Sequence, residues 1–371
     1  MAVRILQPGA RHGSVIVPSS KSLAHRELIA AALSGVEPPV IRGESRDTMA
    51  THACLKAMLS GDPVWPCGES GTTLRLLEPL AGVMGWRGEF RCEGRLGERP
   101  RMPFVRQSRY VIPGNVSSQF VSGLLMALPL ADWDSEIVID GTLQSVGYVQ
   151  LTEDVLTAAG IDFTFHPALW PPDADKPVQP MSWTIRGGQR YRIAGGREVE
   201  GDWSQAAFFL AMGVTVNGLR ADSHQGDSAA DVLMRTLRDP TNDGREIVIS
   251  GAMIPDLVPA LAARAAYRPG TTRFTDCARL RLKESDRLES TAAMVNDVSG
   301  QASIEGDTLT VAGVPMLRGG TVTTCNDHRI AMSAAVLACG ASGPVTVDDD
   351  ACVAKSYPGF WDDFGALTRD A

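Results

Sequence analysis

No run of apolar residues in this 371-residue chain approaches the ~20 that a membrane-spanning helix needs. The opening "MAVRILQPGARHG" has no apolar signal-peptide stretch either, so the expected compartment is the cytoplasm. Cysteine is sparse. The seven present (Cys54, Cys67, Cys92, Cys277, Cys325, Cys339, Cys352) form no C-x-x-C pair and are odd in number. That pattern excludes a disulfide framework or a thiolate zinc site and suits small buried hydrophobes. The six histidines show no H-E-x-x-H spacing, and no G-x-G-x-x-G joins a strand to a helix. Neither a metal nor an organic cofactor is expected. Lys and Arg (35) are outnumbered by Asp and Glu (43), a net charge of −8 that disfavours non-specific nucleic-acid binding. Any positive groups for an anionic ligand must therefore be concentrated locally.

What is present is an ordinary globular composition, 44% apolar and 21% charged, in a chain long enough for two domains. One pattern recurs six times: "PSSKSLAHRELIAAALSG", "CGESGTTLRLLEPLAG", "GNVSSQFVSGLLMALPL", "GDWSQAAFFLAMG", "LKESDRLESTAAMVNDVSG" and "CNDHRIAMSAAVLACG". Each begins with Ser, Asp or Asn, the N-cap types, and continues as an Ala/Leu/Met-rich run suited to a buried helix. Most end at a glycine, a helix C-cap signal. Between them lie strand-like stretches: "SVIVP", "EIVIDG", "SWTIRG", "YRIAG", "EIVISG", "TLTVAG" and "GPVTVDD". The predicted class is α/β, built from repeated β-α units.

Basic residues cluster at these helix starts: Lys21 and Arg26, Arg75, Lys283 and Arg287, and Arg329. The helix macrodipole is positive there, so cations are unfavourable unless an anion sits among them. Any one of them alone reads as a solvated end residue. Six similar starts, converging, would offer free N–H groups, dipoles and cations to phosphates and carboxylates. Further candidates are Gly71 in "ESGTTLR", Arg99 in "GERP", and Ser117, Ser118 and Gln119 in "VSSQF". Asp256 in "IPD", Glu284 in "RLKESDRL" and Lys355 in "AKSYPGF" complete that set. In isolation Asp256 reads as an N-cap and "RLKESDRL" as an ion-paired helix, with Lys283 and Arg287 four apart. His25 reads as structural.

The ordered motifs K-S-x-x-x-R, S-G-T-x-x-R, E-R-P, S-S-Q-F, G-D-x-S, I-P-D, K-E-S-D-R-L, N-D-H-R and A-K-S-Y-P run from Lys21 to Pro358. Together they strongly resemble the 3-phosphoshikimate 1-carboxyvinyltransferase (EPSP synthase) family. The resemblance implies a two-lobed enolpyruvyl transferase fold of repeated βαβαββ units with buried helices, an inside-out α/β barrel. One lobe would be residues 19–200, the other residues 1–18 and 201–371. It implies enolpyruvyl transfer from phosphoenolpyruvate to the 5-hydroxyl of shikimate 3-phosphate, with these small molecules as the only partners, no nucleic acid or membrane, and a monomer. Carried over by motif, Lys21, Ser22, Arg26, Ser117, Ser118, Gln119, Ser145, Tyr148, Asp256 and Lys283 would hold shikimate 3-phosphate. Lys21, Gly71, Arg99, Gln119, Arg287, Arg329 and Lys355 would hold phosphoenolpyruvate. Asp256 would be the general base, and Glu284 with Lys21 would handle the methylene proton. Glyphosate would compete with phosphoenolpyruvate at Gly71.

Two stretches depart from the pattern: the connection from "GERPRMPF" to "GNVSSQF" and the stretch "LRDPTNDGREIVISGAMIPD" are short, so the fold is somewhat trimmed. Cys92, close before Arg99, keeps the related UDP-N-acetylglucosamine enolpyruvyl transferase in view as an alternative. A non-catalytic anion-binding homologue is the other.

Overall fold

Polar helix starts followed by apolar runs, and short alternating segments between them, account for most of the architecture. The computed structural model describes residues 2–169 and 179–369. The chain divides into two compact units. The terminal unit holds Met1–Ser20, Gly43–Ser45 and Glu200–Ala371; the central unit holds Lys21–Arg42 and Arg46–Val199.

The terminal unit opens with strands β1 (Arg4–Leu6), β2 (Arg11–His12) and β3 (Ser14–Ile16). The central unit begins with α1 (Lys21–Ser34), α2 (Arg46–Ser60), β4 (Val64–Gly68), α3 (Gly71–Met84) and β5 (Glu89–Cys92). It continues with β6 (Arg109–Pro113), α4 (Ser118–Ala127), β7 (Ser135–Asp140), α5 (Val146–Ala158), β8 (Phe163–His166) and β9 (Ser182–Ile185). The terminal unit resumes with α6 (Trp203–Met212), β10 (Thr215–Asn217), α7 (Ala229–Arg238), β11 (Ile247–Ser250), α8 (Val258–Ala265) and β12 (Thr271–Thr275). After these come α9 (Arg287–Asp297), β13 (Gln301–Glu305), β14 (Thr308–Ala312), β15 (Gly320–Val322) and α10 (His328–Cys339). The last elements are β16 (Val345–Val347), α11 (Phe360–Ala366) and β17 (Thr368–Arg369).

Each unit contains one four-stranded βαβαββ repeat. In the central unit β6-α4-β7-α5-β8-β9 makes a sheet ordered β6-β7-β9-β8; in the terminal unit β11-α8-β12-α9-β13-β14 makes β11-β12-β14-β13. The first two strands pair in parallel in both, and the closing hairpin adds antiparallel to the second strand. The remaining sheets have two or three strands.

All six expected helices form, as α1, α3, α4, α6, α9 and α10. Ser70, Ser117, Asp202, Asp286 and Asp327 cap five of them by accepting backbone N–H bonds. α6 and α10 are buried over almost their whole length, because they are apolar on every face and serve as core rather than as cover. One apolar cluster fills the terminal unit, and two fill the central unit. No helix among the described residues is long and apolar enough to cross a membrane.

Local expectations differ from the structure in two places. "YRIAG" is not a strand: Arg192 donates its backbone N–H to Ala159, Ile193 bonds the Ser34 hydroxyl, and the Tyr191 hydroxyl donates to Met126. Those groups are satisfied at helix ends, which leaves no ladder to form. α3 runs past Gly82 to Met84 and is capped by Gly85 in the left-handed conformation. Gly82 has another use. A Cβ there would lie 2.2 Å from the Phe104 ring, so the short connection after "GERP" closes by laying Phe104 against α3.

Candidate functional site

The six helix starts divide three and three between the units, and within each unit side chains tie the three together.

In the central unit these are α1, α3 and α4. α1 starts at Lys21 with no acidic residue in its first turn. Lys21 Nζ instead meets Asp47 Oδ2 of α2 at 3.0 Å. The Asp47 carbonyl accepts from Thr73 Oγ1 (3.3 Å), which bonds the Ser70 cap (2.7 Å) beside Gly71. A buried chain from His25 Nδ1 through Thr51 Oγ1 to Thr73 Oγ1, both links 2.6 Å, braces the same junction. Burial, then the charges of Lys21 and Arg26, holds the His25 ring well below its ordinary pKa and therefore neutral.

Arg26 is 1% exposed. It donates to Thr152 Oγ1 (2.7 Å), the Ser22 carbonyl (2.5 Å), Ser122 Oγ (3.1 Å) and the Tyr148 carbonyl (2.8 Å). Burial pushes its guanidinium down to about 10, partly offset by Tyr148, so it stays charged at neutral pH. Arg26 thus joins α1, α4 and α5, and fixes Ser22 and Tyr148 relative to each other.

Gly71 opens α3. A Cβ on it would fall 2.8 Å from Arg99 Nη1 and 3.0 Å from Arg75 Nη1, so a side chain here would push two guanidinium tips aside. Arg75 Nη1 donates to Gln119 Oε1 (2.8 Å), and Gln119 Nε2 donates to Thr72 Oγ1 (2.8 Å). Gly71, Arg99 and Gln119 therefore meet, with Arg75 between them. Ser117 caps α4 and Ser118 is buried in its first turn. Ser145, buried ahead of α5, holds φ 56° and ψ 46°, a left-handed conformation that is costly for a non-glycine residue.

The terminal unit ties α6, α9 and α10 with the segment before α8, and here the groups are ionised. Asp256 precedes α8 without capping it. Its Oδ1 lies 2.7 Å from Arg287 Nη1 and 3.2 Å from Lys283 Nζ, and its Oδ2 is 3.4 Å from Arg329 Nη2. Arg329 also donates to the Asp256 carbonyl (3.0 Å) and to Ser204 Oγ of α6 (3.1 Å). Arg287, 1% exposed, grips Glu284 Oε2 at 2.5 Å and Asp327 Oδ2 at 2.9 Å. Lys283 and Glu284 stand ahead of α9 rather than on it, since Asp286 is its cap. Lys355 Nζ donates to the Asn326 carbonyl (2.9 Å), in a turn where Cys325 and Asn326 both hold positive φ.

Burial works against the charge on Arg287, but Asp327, Glu284 and Asp256 outweigh it and raise its pKa. Burial would push the Asp327 carboxyl up; Arg287, opposed by Glu284 and helped by His328, brings it below the usual range. Lys283 is the exception. Burial, helped by Arg287 and Arg279 and only partly offset by Asp256 and Glu284, brings its ammonium down to about 8.

Sequence reasoning assigned no role to Asp47, because an aspartate in a first turn is what the helix dipole prefers anyway. It left Arg75 out of the ligand sets, although Arg75 was among the conspicuous basic residues. It treated Asp327 only as a cap, and Asp327 is that as well as the buried partner of Arg287. Among the described residues no group of three or more His, Cys, Asp and Glu side chains is arranged to hold a metal ion.

Comparison with known proteins adds to this geometry. The family described as EPSP synthase (3-phosphoshikimate 1-carboxyvinyltransferase) matches residues 102–364. The 3-phosphoshikimate 1-carboxyvinyltransferase of Clostridium kluyveri is 35% identical, across 98% of this chain and 96% of its own. The enzyme of that name from Clostridium perfringens is 32% identical, across 98% and 97%. Among solved structures, EPSP synthase from Acinetobacter baumannii matches with a TM-score of 0.72 at 20% identity, covering 98% of this chain and 97% of that one. The last likeness concerns the fold.

Proposed function

The chain belongs to the EPSP synthase family, and from that premise we infer how its two residue sets carry out the family's reaction. It is an enzyme, a transferase of the shikimate pathway, and the family's substrates are shikimate 3-phosphate and phosphoenolpyruvate. The observation that carries the reading is Asp256, a carboxylate held among Lys283, Arg287 and Arg329 with Glu284 on the same arginine. A mere anion binder has no use for two carboxylates at its cationic centre. A proton-transferring enzyme does.

Two proton movements are required. The 5-hydroxyl of shikimate 3-phosphate adds to C2 of phosphoenolpyruvate as C3 gains a proton; phosphate then leaves as C3 gives one up. Asp256 takes the hydroxyl proton. Glu284 together with Lys21 supplies and recovers the proton at C3. The cations meet charge that is already in place: two phosphates and two carboxylates enter with the substrates.

Ser22, Arg26, Ser117, Ser118, Gln119, Ser145 and Tyr148, with Lys21 and Lys283, hold shikimate 3-phosphate. Arg26 contributes mainly by locking Ser22 and Tyr148, since its own donors are engaged by the protein. Gly71, Arg99 and Gln119, with Lys21, Arg287, Arg329 and Lys355, hold phosphoenolpyruvate. A side chain at Gly71 would displace the guanidinium tips of Arg99 and Arg75. Gly71→Ala should therefore raise the KM for phosphoenolpyruvate and weaken competition by glyphosate. The reading carries with it a monomer and a cytoplasmic enzyme.

The test is to mix the purified chain with both substrates and follow phosphate release and the enolpyruvyl product. Release that requires both substrates is the expected result. Folded protein that binds both and releases no phosphate would leave only the anion-binding homologue.

A further inference from the structure

Three of the thiols lie together in the central unit, in a place the transferase chemistry does not use. β4 and β5 pair in parallel, with Trp65 opposite Phe90 and Gly68 opposite Cys92, and the register slips between Pro66 and Gly68. Cys67 is the residue at that slip. Trp65 and Phe90 touch edge to face, their ring centroids 4.8 Å apart. At such a slip two residues of one strand face one of the other, so Cys67 and Gly68 both stand against Cys92. Cys54 of α2 and Cys67 lie in one buried apolar cluster, and Cys92 packs against that cluster. All three are reduced; Cys54 and Cys67 are fully buried and Cys92 is half-buried.

We propose that Cys67 and Cys92 form an oxidisable dithiol, a modification site that a hydroperoxide converts to a disulfide bridging β4 and β5. Cys92 pairs with Gly68, the residue after Cys67, so the two cysteines stand at neighbouring positions of adjacent strands, where a disulfide can reach across. Cys92 is the sulfur a peroxide reaches. Cys67 and the Arg101 charge, against burial and Glu78, draw the Cys92 thiol below the ordinary value. Its thiolate attacks the peroxide oxygen, the O–O bond breaks, and with one proton the products are a sulfenic acid and water. The Cys67 sulfur then attacks the Cys92 sulfur, the S–OH bond breaks, and hydroxide leaves as a second water with the Cys67 proton. One peroxide is reduced, two thiols are oxidised, and two waters form. Cys54 and Cys92, together with burial, push the Cys67 thiol up.

The bridge would act on ligand groups. Gly71 lies four residues after Cys67 and Arg99 seven after Cys92. The two loops are already in contact: Glu93 N donates to the Gly68 carbonyl at 2.8 Å, and a Cβ on Gly94 would meet Glu69 Cδ at 2.9 Å. Drawing their roots together displaces the Arg99 guanidinium from Gly71. This consequence rests on the phosphoenolpyruvate role inferred above, whereas the bond itself does not.

The full chain is treated with hydrogen peroxide, quenched by alkylation, and mapped by mass spectrometry with and without a thiol reductant, and kinetics are measured on the same samples. A Cys67–Cys92 cross-link with a roughly tenfold higher KM for phosphoenolpyruvate, both reversed by the reductant, is expected for the displacement of one charge-assisted contact. Cys92→Ser should abolish both effects, and Cys54→Ala should leave both in place. A Cys54–Cys67 bond, or Cys92 oxidised to a sulfinic acid with Cys67 still reduced, overturns the proposal. A mapped Cys67–Cys92 bond that leaves the KM unchanged overturns the coupling to Arg99. Because mapping needs no turnover, loss of the transferase reading would not be confused with loss of the dithiol.

Discussion

The β6–β9 and β11–β14 repeats share one topology and differ in what they place at the starts of their helices. At the starts of α4 and α5 stand Ser117, Ser118, Gln119, Ser145 and Tyr148, which carry hydroxyls and an amide. At or just ahead of the starts of α8 and α9 stand Asp256, Lys283, Glu284 and Arg287, ionised and bonded to one another. The same backbone frame therefore presents a hydroxyl-and-amide surface in one unit and an ion cluster in the other. Neutral donors and acceptors suit the positioning of a polyhydroxylated anion; ionised groups suit proton transfer and charge stabilisation. What each repeat does is decided at its helix starts, not by its fold.

The sharpest way to break that comparison is to remove the base. Asp256→Asn should lower kcat by about 10²–10⁴, measured as phosphate release at saturating substrates. Ser118→Ala at the corresponding helix start should act mainly on the KM for shikimate 3-phosphate. Equal losses of kcat in the two variants would show that the division of labour is wrong.

Next comes stability. Arg287→Ala strands Asp327, which is 0% exposed, and leaves Glu284 and Asp256 short of a partner. Breaking a buried pair in this way costs about 3–5 kcal/mol, readable in urea denaturation. Gln119→Ala in the central unit removes one hydrogen bond from Arg75 at a half-buried position and should cost only about 1 kcal/mol.

The smallest effect at neutral pH, and the most specific, belongs to Lys283. Its ammonium titrates near 8, so the unliganded enzyme loses a positive charge as pH rises through that value. kcat/KM should therefore fall along a limb of apparent pKa about 8. Lys283→Arg, whose charge persists to far higher pH, should move that limb upward. Ser145→Ala, at the corresponding helix start of the other repeat, should change the level of the profile and leave its shape alone. A limb that survives Lys283→Arg unchanged would assign it to another group.

Legibility followed the range of the signal. "SSQF", "DWSQ" and "NDHR" announced helix starts because capping is decided within three or four residues. The repeated polar-then-apolar pattern made the buried helices readable for the same reason. "YRIAG" misled because its alternation was genuine while its hydrogen-bond partners, Ala159, Ser34 and Met126, lay elsewhere in the chain. Lys283 and Glu284 had helical spacing to Arg287 yet sit before the helix, since Asp286 takes the cap. Asp47 left no mark because its position is ordinary for any helix.

By itself the sequence determined where the helices begin, which of them are core, and the family, because these rest on local composition and ordered motifs. Only the tertiary structure decided which partner each charge meets. Arg26 reaches Thr152, 126 residues away, and Arg287 reaches Asp327, 40 residues away. The physical reason is that an ion pair or a buried hydrogen bond depends on distance in space, and nothing within a few residues of either group specifies that distance.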